Sequence, residues 1–139
     1  MTIRAMTTAD YESALALWQE CAGLGLSKRD DSREGIAAFL SRNPRTCFVA
    51  EEDGVLIGSI LAGHDGRRAH LYHAAVNPAF RRRGIARALV EKNCDALRDE
   101  GIPKAFLVAF SDNADGNAFW ERVGFHERCD LTYRDRMIQ

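Results

Sequence analysis

Two Asp-Gly pairs, Asp53-Gly54 and Asp65-Gly66, interrupt a run of apolar and β-branched residues that extends from Thr46 to Val76. Asp-Gly suits a two-residue reversal because both central positions of a type I′ turn take positive φ, which glycine adopts freely and aspartate tolerates. The spacing predicts strands over Thr46–Glu51, Val55–Gly63 and Ala69–Val76, joined as an antiparallel meander. Asn77-Pro78 ends the third strand, since proline has no N–H to give to a ladder.

The flanking sequence adds helices and further strands. Thr2–Ala5 reads as a short strand, and Thr7 or Thr8 caps a helix over Ala9–Cys21 whose Tyr11, Ala14, Leu15, Trp18 and Cys21 share a face. Gly23-Leu24-Gly25-Leu26 breaks that helix, Ser32 caps a second over Arg33–Ser41, and Asn43-Pro44 ends it. After Arg83 a helical period runs through Ile85, Ala88, Leu89, Ala96 and Leu97 until Gly101 and Pro103 stop it. Lys104–Phe110 reads as an apolar strand, Asp112-Asn113 as the cap of a helix ending near Val123-Gly124, and Phe125–Arg128 and Leu131–Met137 as closing strands. The expected fold class is α/β (α+β): a mixed, mostly antiparallel central sheet flanked by about four helices, in the order β-α-α-β-β-β-α-β-α-β-β.

At 139 residues the chain has the length of one domain. Its 19 basic and 20 acidic residues give a net charge of -1, which supplies no global field for nucleic acid or anionic membranes. No apolar run approaches the roughly 20 residues needed to span a bilayer, and the N-terminus lacks a signal-like apolar segment, so a cytoplasmic protein is expected. Cys21, Cys47, Cys94 and Cys129 form no CxxC pair and have no zinc-like partner spacing, so buried reduced thiols and no metal are expected.

The junction from Val76 to Leu89 carries the strongest chemical signal. Gly84 and Ala86 have little or no side chain, so backbone N–H groups of the first helical turn can approach an anion, and Arg81, Arg82 and Arg83 supply counter-charge. The segment Arg81-Arg82-Arg83-Gly84-Ile85-Ala86 matches the acyl-CoA motif R/Q-x-x-G-x-G/A, and a second family segment is met by Asn113, Phe119, Glu121, Gly124 and Phe125. With these motifs the chain resembles, over nearly its whole length, the GNAT superfamily of N-acyltransferases. The Gly63 to Arg68 turn and Leu17-Trp18 are similar to its small YpeA-type bacterial branch.

The resemblance implies acetyl-CoA as co-substrate. Backbone groups of Ala74, Ala75 and Val76 would hold the pantetheine arm, with the Val76 N–H polarising the thioester carbonyl as an oxyanion donor. Arg81, Arg82, Arg83, Gly84, Ile85, Ala86 and Arg87 would hold the phosphates. Asn113 would bond the pantetheine amides or simply cap its helix, and Phe119 and Trp120 would complete the cofactor surface.

Amine acylation needs a base for the ammonium and is helped by an acid for the departing thiolate. Trp120 stands where the family usually has tyrosine, and an indole cannot act as a titrating acid near neutrality. Tyr72 and Tyr133 are the other candidates for the acid. Val108 stands where some relatives carry a glutamate base, leaving His70 or His73, or a water relay to Glu51, Asp30 or Asp31. The odd spacing of His70 and His73 predicts opposite sheet faces, and His73 is taken as the candidate base.

Leu24, Leu26, Asp30 and Asp31, with His64 from the Gly63 to Arg68 turn, are the expected acceptor wall. The activity implied is direct acetyl transfer to a primary amine, on a small molecule in first place. A peptide or protein N-terminus, or a non-catalytic acyl-CoA sensor, are the other readings, and edge strands could pair into a homodimer.

Overall fold

The computed structural model describes residues 1–139. The strands are β1 (Thr2–Ala5), β2 (Cys47–Glu52), β3 (Val55–His64), β4 (Ala69–Val76) and β5 (Ala105–Phe106); the helices are α1 (Tyr11–Glu20), α2 (Arg33–Arg42), α3 (Ile85–Asp99) and α4 (Ala114–Arg122). The strands lie in sequence order across one sheet, antiparallel from β1 to β4, and β5 runs parallel to β4.

The turns obey the local chemistry. Asp53 and Gly54 both take positive φ, 51° and 76°, and close the β2–β3 reversal. The β3–β4 connection is a longer loop than the expected two-residue turn: only Gly66 is left-handed (φ 85°), and Asp65 Oδ1 accepts from the N–H groups of Arg67 and Arg68. Ser32 caps α2 by accepting from the Gly35 N–H, and the Asn113 side chain accepts from the Gly116 N–H at the start of α4.

Each sheet face is covered by helices. On one, Trp18, Leu17 and Tyr11 of α1 and Ile36 and Leu40 of α2 pack against Cys47, Val49, Leu61 and Ala75. On the other, Ile85, Leu89, Val90 and Leu97 of α3 pack on Phe48, Ile57, Ile60 and Leu71, with Phe119 and Trp120 of α4 alongside. No helix is long and apolar enough to cross a membrane.

The C-terminal expectation is corrected. Neither Phe125–Arg128 nor Leu131–Met137 forms a strand, and Leu131, Tyr133 and Met137 are largely exposed. A strand needs a neighbouring edge for its N–H and C=O groups. Here β5 pairs over only two residues, Ala105 and Phe106, instead of the expected Lys104–Phe110, so alternating apolar residues further on find no ladder to extend.

Candidate active site

The site is organised by an irregularity in β4. Ser59 pairs with Ala75 and Leu61 with Tyr72, so the single residue Ile60 spans both His73 and Ala74. An extra residue in one strand reverses the alternation beyond it, so Tyr72 and His73 point to the same face although they are adjacent. His73 takes φ 49°, a left-handed conformation that costs a non-glycine residue about 1 kcal/mol or more.

Contacts from two other elements hold that conformation. Ser59 Oγ donates to the His73 carbonyl oxygen at 2.7 Å, Trp18 Nε1 donates to Ser59 Oγ at 2.9 Å, and the Trp18 and His73 rings lie 4.5 Å apart. The opposite-face expectation for His70 and His73 is therefore overturned. The His70 ring stacks on Tyr72 at 4.1 Å, and Tyr72 meets the His73 ring edge-on at 6.5 Å.

His73 Nε2 lies 2.5 Å from Asp31 Oδ1, with side-chain exposures of only 11% and 9%. The second carboxylate oxygen of Asp31 accepts from the Ser27 N–H at 2.8 Å, and its backbone carbonyl accepts from the Tyr11 hydroxyl at 2.7 Å. Asp31 does not cap α2, a role taken by Ser32.

Beside this pair runs an aromatic row. Phe39 of α2 meets Tyr72 edge-on at 5.6 Å, and His70 lies 4.6 Å from Phe106 of β5. Tyr72 and Phe106 remain 42% and 46% exposed, so the row is an open wall and not core. Burial, with Asp30 and Tyr133 adding to it, pushes the Tyr72 hydroxyl above its ordinary range, while burial pushes His70 down.

At the C-terminal end of β4, the turn into α3 is shaped for an anion. Arg82 and Gly84 are left-handed (φ 64° and 78°), and the space where a Gly84 side chain would begin is open. The first intrahelical bond is from the Ala88 N–H to the Gly84 carbonyl, which leaves the N–H groups of Ile85, Ala86 and Arg87 without helical partners. Arg83 forms a two-point pair with Glu52 at 3.0 and 2.7 Å and lies over Phe80, whereas Arg81, Arg82 and Arg87 join no ion pair. Cys21, at the end of α1, approaches the Val76 carbonyl with Sγ at 3.6 Å; burial raises its thiol, opposed in part by Arg81.

The remaining expected residues are scattered. Trp120 is wedged edge-on between Phe119 and Phe125, at 5.1 and 5.3 Å, as part of the packing under α4. Tyr133, on the C-terminal tail, is 68% exposed and close enough to Tyr72 to help raise its pKa. His64 Nδ1 accepts from the Gly66 N–H, so the ring braces its own turn. A Cβ on Gly23 would come within 2.8 Å of the Asn113 amide, and one on Gly25 within 3.3 Å of Phe110. The loop holding Leu24 and Leu26 thus lies against the start of α4. Asp30 is exposed near Tyr72. Of the expected buried thiols, Cys21 and Cys47 are buried, Cys94 is half-buried and Cys129 is exposed. Sequence reasoning missed Ser59, whose role depends wholly on residues distant in the chain.

A bulged strand that carries a buried acid–base pair and runs into an anion-shaped helix start defines a group-transfer domain. Residues 10–125 match the acetyltransferase (GNAT) family, and the chain belongs to that family. It is 32% identical over 139 residues to an acetyltransferase of Pectobacterium atrosepticum, covering 100% of this chain and 97% of that protein. Among solved structures, the PaiA N-acetyltransferase of Thermoplasma acidophilum in complex with coenzyme A is similar with a TM-score of 0.80 at 20% identity, covering 90% of this chain and 89% of that one. AAC(6′)-Iy, in complex with the bisubstrate analogue CoA-S-monomethyl-acetylneamine, gives 0.72 at 23% identity, covering 98% of each chain.

The residues present fit acetyl-CoA. Three unpaired arginines, a side-chain-free Gly84 and free N–H groups of the α3 first turn match the chemistry of linked phosphates.

Proposed function

We propose that this chain transfers the acetyl group of acetyl-CoA directly to a primary amine on a small molecule, both bound at once. The observation that carries this reading is the unpaired anion turn at one end of β4 with His73, largely buried and paired to Asp31 of the loop before α2, on the same strand. Bound acetyl-CoA supplies an acetyl group activated as a thioester.

Arg81, Arg82, Arg87 and the N–H groups of Ile85 to Arg87 bind the phosphates, with Arg83, already paired to Glu52, bracing the turn from outside. The backbone of Ala74 to Val76 would hold the pantetheine arm, and the Val76 N–H would serve as the oxyanion donor to the thioester carbonyl. His73 takes the proton of the acceptor ammonium. Tyr72, whose ring meets that of His73 edge-on at 6.5 Å, supplies the acid, whereas Trp120 is packed between Phe119 and Phe125. The aromatic row of Phe39, His70, Tyr72 and Phe106 favours an amine with an apolar or aromatic substituent, and exposed Asp30 attracts its positive charge.

Calorimetric titration with acetyl-CoA, against CoA and ATP, followed by thiol release with a panel of amines, tests this. Micromolar acetyl-CoA binding with turnover of small arylalkyl or alkyl amines is expected. Binding without turnover on any amine makes the chain an acyl-CoA sensor, and turnover confined to peptides makes the acceptor a protein N-terminus. No binding overturns the site assignment.

A further inference from the structure

We propose that Asp31 is a positioning residue: it holds His73 in the neutral tautomer protonated on Nε2, so that Nδ1 is the atom that receives the ammonium proton. This rests on the acetyl-transfer reading above and assigns Asp31 a role other than amine capture.

A carboxylate only accepts hydrogen bonds, so an imidazole nitrogen 2.5 Å from Asp31 Oδ1 carries the proton. Asp31 offers little to an incoming amine: its side chain is 9% exposed and each oxygen already accepts a hydrogen bond, from His73 and from the Ser27 N–H. It is also fixed before any ligand arrives. The Asp31 N–H donates to the Ser27 carbonyl at 3.0 Å, the Asp30 N–H donates to Ser27 Oγ at 3.2 Å, and the Tyr11 hydroxyl holds the Asp31 carbonyl.

The other ring nitrogen is in the opposite situation. His73 Nδ1 makes no hydrogen bond, yet it is not enclosed, because the only enclosed side-chain polar atom without a partner is Asn93 Oδ1. An unpartnered lone pair thus keeps some contact with solvent, on a ring that Trp18 and the β4 bulge hold still. In the step assigned to it, the ammonium N–H bond breaks and an Nδ1–H bond forms. The nitrogen keeps the electron pair that makes it a nucleophile, and the imidazolium pairs with the Asp31 carboxylate until Nδ1 returns the proton to water. Neither Trp18 nor Tyr72 supplies a counter-charge there, so that stabilisation falls to Asp31.

The test uses the full chain, wild type and Asp31→Asn. Long-range ¹H–¹⁵N correlation of the His73 ring reads the tautomer, calorimetry reads acetyl-CoA affinity, and steady-state kinetics use the best amine of the panel. Expected in the wild type is a neutral ring protonated on Nε2. Expected in Asp31→Asn, whose amide can accept or donate, are a mixed tautomer, a kcat lower by about 100-fold or more, and acetyl-CoA Kd and amine KM within about twofold. An Nδ1–H tautomer in the wild type overturns the proposal without any variant and without touching the acetyl-transfer reading. A raised KM with unchanged kcat overturns it in favour of amine binding, and kcat within about threefold of wild type overturns it outright. Absence of turnover on every amine fails the acetyl-transfer reading itself, and the catalytic role of the pair with it.

Discussion

Ser59 Oγ and the His73 carbonyl are joined by a 2.7 Å hydrogen bond that crosses from β3 to the bulge of β4. The bulge removes that carbonyl from the regular ladder, and Ser59, itself fully buried, replaces the lost partner while accepting from Trp18 Nε1. Ser59→Ala leaves a buried acceptor and a buried donor unpaired at once. A loss of about 2–4 kcal/mol of stability is expected by denaturant titration, with a lower kcat because His73 is no longer held.

Gly63 lies against the α2 ring that supports Tyr72: a Cβ there would stand 2.9 Å from two atoms of the Phe39 ring. Gly63→Ala should cost about 1–3 kcal/mol and, by displacing Phe39, raise KM for the amine with little change in acetyl-CoA affinity. Thermal unfolding and steady-state kinetics check the two effects separately.

The contrast between these two positions shows what was legible. The meander could be read because Asp53-Gly54 encodes its own reversal in two residues, and the α3 entry because Gly84 and Ala86 encode an open helix start. The face of His73 could not. Alternation places it opposite His70, and only Ser59, Trp18 and Asp31, all remote in sequence, settle the bulge that brings them together. The C-terminal residues failed for the converse reason: Leu131 and Tyr133 have a strand's alternation, but strand formation depends on an edge that two-residue β5 does not extend.

Arg82 and Arg87 have no carboxylate partner, whereas Arg83 is held by Glu52. Arg82→Ala and Arg87→Ala should each raise the acetyl-CoA Kd about tenfold, and Arg83→Ala alone less. Arg83→Ala with Gly84→Asp, which adds a carboxylate where the anion sits, should abolish measurable binding while the far-ultraviolet circular dichroism stays unchanged.

Asp10 receives both Nη atoms of Arg4, at 2.9 and 2.8 Å, and the Thr7 N–H, and the Arg4 guanidinium first of all holds its carboxyl below the usual range. A carboxyl with a depressed folded-state pKa adds stability above its unfolded pKa of about 4 and loses it as pH falls through the folded value. Asp10→Asn should therefore be destabilised by about 1–3 kcal/mol at pH 7, with the difference from wild type shrinking below about pH 4 in pH-dependent unfolding.

Tyr72→Phe removes the hydroxyl assigned as the acid and should lower kcat about tenfold or more, with the Phe39 contact and fold kept. Trp120→Tyr restores the residue usual in the family at a position packed between Phe119 and Phe125. With Tyr72 as the acid and the indole packed under α4, it is expected to leave kcat within about twofold, and a clear rise in turnover would move the acid role to this position.

Formal charges sum to -1, yet exposed Arg81, Arg82 and Arg87 stand together without partners at the start of α3. Near-neutrality at a distance thus conceals a positive pole that acts within about 10 Å at moderate salt. Encounters with a polyanion become orientated before contact, so association is faster than the total charge suggests and slows as salt is added, while dissociation is governed by the turn itself. A molecule with almost no net charge still has a direction from which phosphates approach it.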